Sequence, residues 1–311
     1  MILPKRLKKG DTIGVIAPSG PLREASAEDV EKKLIDRGYK VKMYESCYHE
    51  YRGYFSAEDD IRARDLQSAF EDDDVDAVFA LRGGYGAARA LDLIDLDVVK
   101  NNPKVFVGLS DITALHIPFN QICDLVTYHG PVAKKFLDID DYTEKSLFKN
   151  ISTEDDTIFE NTDGEEIYTL CEGKCSGQII GGNLSLINTT LGTKYEIDTK
   201  DKILFIEETS EYSYNVDKML NHLHQAGKFA DCKGIIFGDF NNCRKVREHD
   251  WTVEQIIDEI AQRYKKPTIY NLQSGHCKSV GTIPLGAMCH LDADSKKVKF
   301  DYSNCSCTAL R

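Results

Sequence analysis

Through the first half of the chain, short apolar runs alternate with stretches of helical spacing. Residues 12–17 (TIGVIA), 77–81 (AVFAL) and 105–109 (VFVGL) are continuous apolar runs of strand length, and 41–44 and 125–128 are shorter strand candidates. Between them, Ala27, Val30 and Leu34 share one helical face. Ser26, with Asp29 three residues on, opens that helix as a capping box, and Gly38 ends it. Further helices are expected over 57–70, over 87–94 and from Asp111. Strands apolar throughout, each followed by a helix, imply a parallel sheet covered on both faces. This α/β domain is placed at residues 1–150.

From 138 to 164 the chain turns acidic and loses its period, the natural place for a linker. The remainder, taken as a second domain over 165–311, reads as mixed α+β. Val216, Met219, Leu220 and Leu223 mark one amphipathic helix. Thr252 and Gln255 form a second capping box ahead of the stripe Val253, Ile256, Ile257 and Ile260. Residues 203–206, 234–238 and 268–270 are strand candidates, and 282–300 suggests a β-hairpin with a polar turn at 292–297.

Composition narrows the function. With 41% hydrophobic and 29% charged residues, the chain has the balance of a globular protein. Its formal net charge of −12 repels phosphate backbones, which argues against a nucleic-acid partner. No run approaches the ~20 apolar residues needed to cross a bilayer, and the basic start MILPKRLKKGD lacks the apolar core of a secretory signal. The ten cysteines are scattered, with no C-x-x-C pair, and read as free thiols of a reducing cytoplasm rather than as a zinc site.

The most informative stretch is Val107-Gly108-Leu109-Ser110-Asp111-Ile112-Thr113, a buried strand running into a serine from which a helix starts at once. That is the layout of a nucleophile elbow, which lifts a hydroxyl to the carboxyl edge of the sheet, where open α/β sheets bind ligands. The Asp111 backbone N–H then lies at a helix start, able to bind a developing oxyanion. The same residues also read as a plain helix cap, and the full G-x-S-x-G pattern is absent. Arg82-Gly83-Gly84-Tyr85-Gly86, directly after a strand, is a second glycine turn. It reads as a tight turn, a weak phosphate loop or a further oxyanion donor through Gly84. A serine nucleophile needs a base and an orienting partner. Of the eight histidines, His276 in a loop after 268–270 and His129 at a strand end stand where a cleft could be. Glu207 and Glu208 end the apolar run 203–206, where carboxylates are costly unless paired.

Several ordered stretches together, IGVIAPSGP, LRGGYGAAR, VGLSDITALH, GGNLSLI, ILFIEETSEYSYNVDKML, GIIFGDF and SGHCKSVGTIPLGA, resemble the LD-carboxypeptidase family of serine peptidases over nearly the whole chain. That family includes the muropeptide LD-carboxypeptidases and the microcin C7 self-immunity proteins. The resemblance implies a flavodoxin-like parallel-sheet N-terminal domain, a smaller β-rich C-terminal domain and a homodimer. It implies Ser110 as nucleophile, His276 as base and then acid, and Glu207 as orienter, with the neighbouring Glu208 leaving that position uncertain by one residue. The N–H groups of Gly84 and Asp111 are expected to form the oxyanion hole, and Arg82 to meet the substrate's free carboxylate. No metal or cofactor is expected. The implied substrate is a murein tetrapeptide losing its terminal D-alanine. The alternative is an aminoacyl or peptidyl nucleotide amide, as in the microcin branch.

Overall fold

In the computed structural model, which describes residues 1–153, 155–303 and 305–307, the chain divides into two compact units. The first runs Met1–Glu154 and takes back Thr282–Pro284 together with the strand Ser306–Cys307. The second holds Asp155–Gly281 and the stretch that starts at Leu285. Residues 308–311 of the expected second domain lie outside the described residues.

In the first unit, β1 (Ile2–Leu3) pairs with Ser306–Cys307. The main sheet contains β2 (Thr12–Ile16), β3 (Lys40–Met43), β4 (Ala77–Ala80), β5 (Val105–Gly108) and β6 (Thr127–His129). Its order is Ile283–Leu285, β6, β5, β4, β2, β3. The pairs β2–β3, β2–β4, β4–β5 and β5–β6 are parallel. Every residue of β4 and β5 is buried, which is why those runs carry no polar alternation. The Ser26–Asp29 capping box is formed at the start of the helix Ala27–Ile35. The helix expected over 87–94 ends at Leu91, and a separate short helix, Leu96–Asn101, follows, capped by the Asp95 side chain.

The expected linker is largely structured. Asp141–Ser152 is a helix whose cap, Asp140, accepts a hydrogen bond from Thr143 N. Thr143, Leu147, Asn150 and Ile151 form its buried face. Two of those four are polar, so the stripe is hidden from a hydrophobicity reading.

The second unit carries an eight-stranded sheet. Its strands include β7 (Thr157–Phe159), β8 (Tyr168–Cys171), β9 (Lys174–Asn183), β10 (Ile203–Thr209), β11 (Gly234–Asn241) and β12 (Thr268–Tyr270). The order is β7, Lys297–Asp301, Met288–Asp292, β9, β10, β11, β12, β8. The four central strands are parallel, connected through the helices Leu184–Thr190, Ser213–Gln225 and Val253–Tyr264. The flanking strands are antiparallel. The hairpin expected over 282–300 is Met288–Asp292 with Lys297–Asp301. Ile283–Leu285, fully buried, instead edges the first unit's sheet, where Pro284 is tolerated because an edge strand leaves one side unpaired. Among the described residues no helix is long and apolar enough to cross a membrane.

Candidate active site

β5 ends at Gly108, and Ser110 follows with φ of +66°, in the left-handed region that a side chain enters only under constraint. A 3-10 turn, Ser110–Ile112, leads directly into the helix Thr113–Gln121. Two glycines make this bend possible. A Cβ on Gly108 would stand 2.7 Å from the Ile112 side chain, and one on Gly83 would stand 2.9 Å from Ser110 Cβ and 3.1 Å from its Oγ. The cap reading of Ser110 does not hold, since Leu109 occupies the cap position and no side-chain cap bond forms. Behind the bend, His116 is fully buried, with Nε2 2.9 Å from the Gly108 carbonyl and Nδ1 2.9 Å from Thr127 Oγ1. A carbonyl only accepts, so the ring proton sits on Nε2. Burial lowers the pKa of this imidazole to about 4, which keeps it neutral.

The glycine turn lies against Ser110. Gly84 has φ of +120°, and the Gly83 carbonyl accepts from Gly20 N at 3.2 Å. Arg82 is half-buried and donates to the Pro21 carbonyl at 2.9 Å. It makes no ion pair among the described residues, and burial and the nearby Arg23 lower its pKa. The Asp111 carboxylate turns inward, accepting from Ser19 Oγ at 2.6 Å and from Ala87 N at 2.8 Å.

The second unit gathers the other candidates. Glu207 ends the apolar run of β10 and is fully buried. Its Oε2 lies 2.7 Å from His276 Nδ1. The histidine's loop is laid along β11, with Leu272 N bonded to Phe237 O, Asp239 N to Ser274 O and Asn241 Nδ2 to His276 O. Gly275, with φ of +132°, is needed there because a Cβ would stand 2.8 Å from Glu207 Oε2. Glu208 does something else. It accepts from Asn183 Nδ2, Ser185 N and Thr209 N, each at 2.8 Å, and so caps the start of the helix Leu184–Thr190. Burial of the His276 ring works against its charged form, but Glu207 first, then Glu208 and Asp239, outweigh this and raise its pKa. Asp239, on β11, is the acidic neighbour that the motif reading passed over. Burial, with the nearby Glu207 charge, raises its pKa to about 6.

The first unit therefore collects Ser110, Gly84, Asp111 and Arg82, and the second joins Glu207 to His276. His129 does not line an open cleft, because its side chain is fully buried with its ring 6.3 Å from that of His116. His222 is exposed and His224 half-buried against Tyr264. All the cysteines whose side chains are described are free thiols. Among the described residues no three His, Cys, Asp or Glu side chains gather as metal ligands.

Comparison with known proteins gives the family. Residues 13–130 match the LD-carboxypeptidase N-terminal domain and residues 176–291 the LD-carboxypeptidase C-terminal domain. The chain belongs to the LD-carboxypeptidase family. As a family member it is a serine-type carboxypeptidase. It is 39% identical over 299 residues to a probable murein peptide carboxypeptidase of Bacillus subtilis (strain 168), covering 94% of this chain and 92% of that one. An MccF-like protein from Bacillus anthracis has the same fold at TM-score 0.86 and 30% identity, covering 96% and 99% of the two chains. A muramoyltetrapeptide carboxypeptidase from Oxalobacter formigenes superposes at TM-score 0.80 and 27% identity, covering 93% and 97%.

Proposed function

We propose that this LD-carboxypeptidase family member hydrolyses the L,D amide bond that holds the terminal D-alanine of murein tetrapeptides. Ser110 Oγ attacks the scissile carbonyl while His276 Nε2 takes its proton. Glu207 accepts a hydrogen bond from Nδ1–H, fixing the tautomer that leaves Nε2 open and countering the imidazolium that forms. The N–H groups of Gly84 and Asp111 stabilise the oxyanion, and His276 returns the proton to the leaving amine. Water, activated by the same imidazole, then hydrolyses the ester on Ser110. Arg82, which makes no ion pair among the described residues, meets the terminal carboxylate. No step requires a cofactor.

In this reading the N-terminal domain supplies the nucleophile and the C-terminal domain the glutamate and histidine. The strand order β3, β2, β4, β5, β6 supports a flavodoxin-like description of the first sheet. Recycled muropeptides are cytoplasmic, so we place the enzyme there, as a homodimer. The observation that carries the reading is the contact at 2.7 Å between the fully buried Glu207 carboxylate and the partly exposed His276 ring. Its test is incubation with a murein tetrapeptide and mass spectrometry for loss of one alanine. Ser110→Ala should abolish that loss while leaving the fold intact, and unchanged turnover in Ser110→Ala refutes the assignment.

The 30% identity to an MccF-like protein favours a second reading, cleavage of an aminoacyl nucleotide amide by the same residues. Offering both substrates in one assay separates the two, since only the preferred one should turn over at low concentration.

A further inference from the structure

We propose that the buried side chains of Asp111 and Arg62 form a clamp on the Gly86 peptide, and that this clamp positions the glycine turn against Ser110. The inference rests on the serine peptidase reading only for its catalytic consequence.

Asp111 and Arg62 are opposite charges with about 1% and 0% of their surface exposed. No direct ion pair joins them among the described residues. Each holds the same stretch of backbone instead. Arg62 Nη1 donates to the Gly86 carbonyl at 2.7 Å, and also to the Pro18 carbonyl, while its Nε donates to Ala57 O at 3.0 Å. From the other side, Asp111 accepts from Ala87 N at 2.8 Å, the N–H of the same peptide group whose carbonyl Arg62 holds. The remaining bond to Asp111, from Ser19 Oγ, ties in the loop after β2. A Cβ on Gly86 would stand 2.6 Å from Arg62 Nη1, so the guanidinium fills the space that a side chain would need.

The energetics make this more than packing. A carboxylate and a guanidinium taken out of water are costly unless their hydrogen bonds are met. Here they are met by backbone groups of the stretches following β2, β3 and β4, by Ser19 Oγ on Asp111, and by an ion pair of Arg62 with Asp59. Moving the turn therefore means unpairing a buried charge. Gly83, three residues before the clamped peptide, lies so close to Ser110 that a Cβ there would stand 2.9 Å from Ser110 Cβ, and Gly84 is the proposed oxyanion donor. Asp111 thus has two separable parts, a backbone N–H facing the reaction and a carboxylate that positions the neighbouring turn.

The test uses the full chain with Asp111→Asn, which keeps shape and backbone but removes the charge, and with Ser19→Ala, which removes one bond to the same carboxylate. Two readouts are taken. Amide hydrogen exchange over residues 83–87 should accelerate at least about tenfold beyond any change in the rest of the first unit. With a murein tetrapeptide, Asp111→Asn should lower kcat on the order of 10- to 100-fold at unchanged KM. Affinity for a boronic acid analogue of the tetrapeptide should fall by the same factor, while binding of the tripeptide product holds. Ser19→Ala should follow the same pattern more weakly, and decides the question if Asp111→Asn does not fold. Unchanged exchange over 83–87 overturns the clamp whatever the activity. Accelerated exchange with kcat and boronate affinity both within twofold of the parent overturns its catalytic role. If exchange responds but the parent protein releases no D-alanine, the clamp stands and it is the peptidase reading that falls.

Discussion

Replacing Glu207 by glutamine is the sharpest probe of the proposed chemistry, because it changes one buried charge and almost no volume. The carboxylate only accepts, so it keeps a proton on His276 Nδ1 at 2.7 Å and leaves Nε2 open as the base. An amide in its place can donate to Nδ1 and hold the opposite tautomer, which in the serine triad template costs about 10⁴ in kcat. The lost charge gives a similar figure by a separate route. Unit charges about 4 Å apart at an effective dielectric of about 20 attract by about 4 kcal/mol. Withdrawn from the imidazolium formed during attack, that is close to 10³ in rate. Glu207→Gln should therefore lower kcat for D-alanine release by about 10³–10⁴ with KM nearly unchanged. Glu208→Gln is the internal control. Its carboxylate holds a helix start rather than the histidine, so it should cost about 1–3 kcal/mol of stability by urea unfolding and less than tenfold in kcat. The reasoning fails if folded Glu207→Gln keeps kcat within tenfold of the parent, or if Glu208→Gln is the more damaging to kcat.

Gly83→Ala should reduce kcat by about 10- to 100-fold with a small change in Tm, because the new methyl crowds Ser110 at about 3 Å without entering the core; a kcat within twofold of the parent would show that the contact does not matter. The base must be neutral to act, so kcat/KM should rise with pH through an apparent pKa above the ordinary 6.5 of histidine, in keeping with the raised value for His276. Asp239 is one of the negative charges responsible, and it ionises at about 6. Asp239→Asn should move the acid limb to lower pH, and a limb that stays in place or moves upward counts against this role.

How far the sequence could be read depended on where each signal was written. β4 and β5 were legible because strands buried on both faces carry uninterrupted apolar residues, and the bend at Ser110 because β5 ends in a glycine with the serine two residues on. The helix Asp141–Ser152 was not, since half of its buried face is polar. The parallel centre of the second sheet was obscured by antiparallel flanking strands brought from distant parts of the chain. The choice between Glu207 and Glu208 could not be made from composition, because adjacent strand residues point to opposite faces and only the register decides which meets His276. Asp239 escaped for a related reason. Nothing local marks it, and its importance comes from the loop carrying His276 lying along the same strand. The inward-facing Asp111 carboxylate is likewise a long-range fact, made by Ser19 and the start of the helix Ala87–Leu91.

The backbone at position 110 has a consequence for which alcohols the enzyme can use. Threonine carries the same hydroxyl and would be a reasonable nucleophile on chemical grounds, yet a β-branched residue is a genuine outlier at a φ of +66°. Cysteine and alanine have no second heavy atom on Cβ and fit the bend, so thiol and null versions of the protein are open to engineering while the secondary alcohol is shut out by the main chain alone.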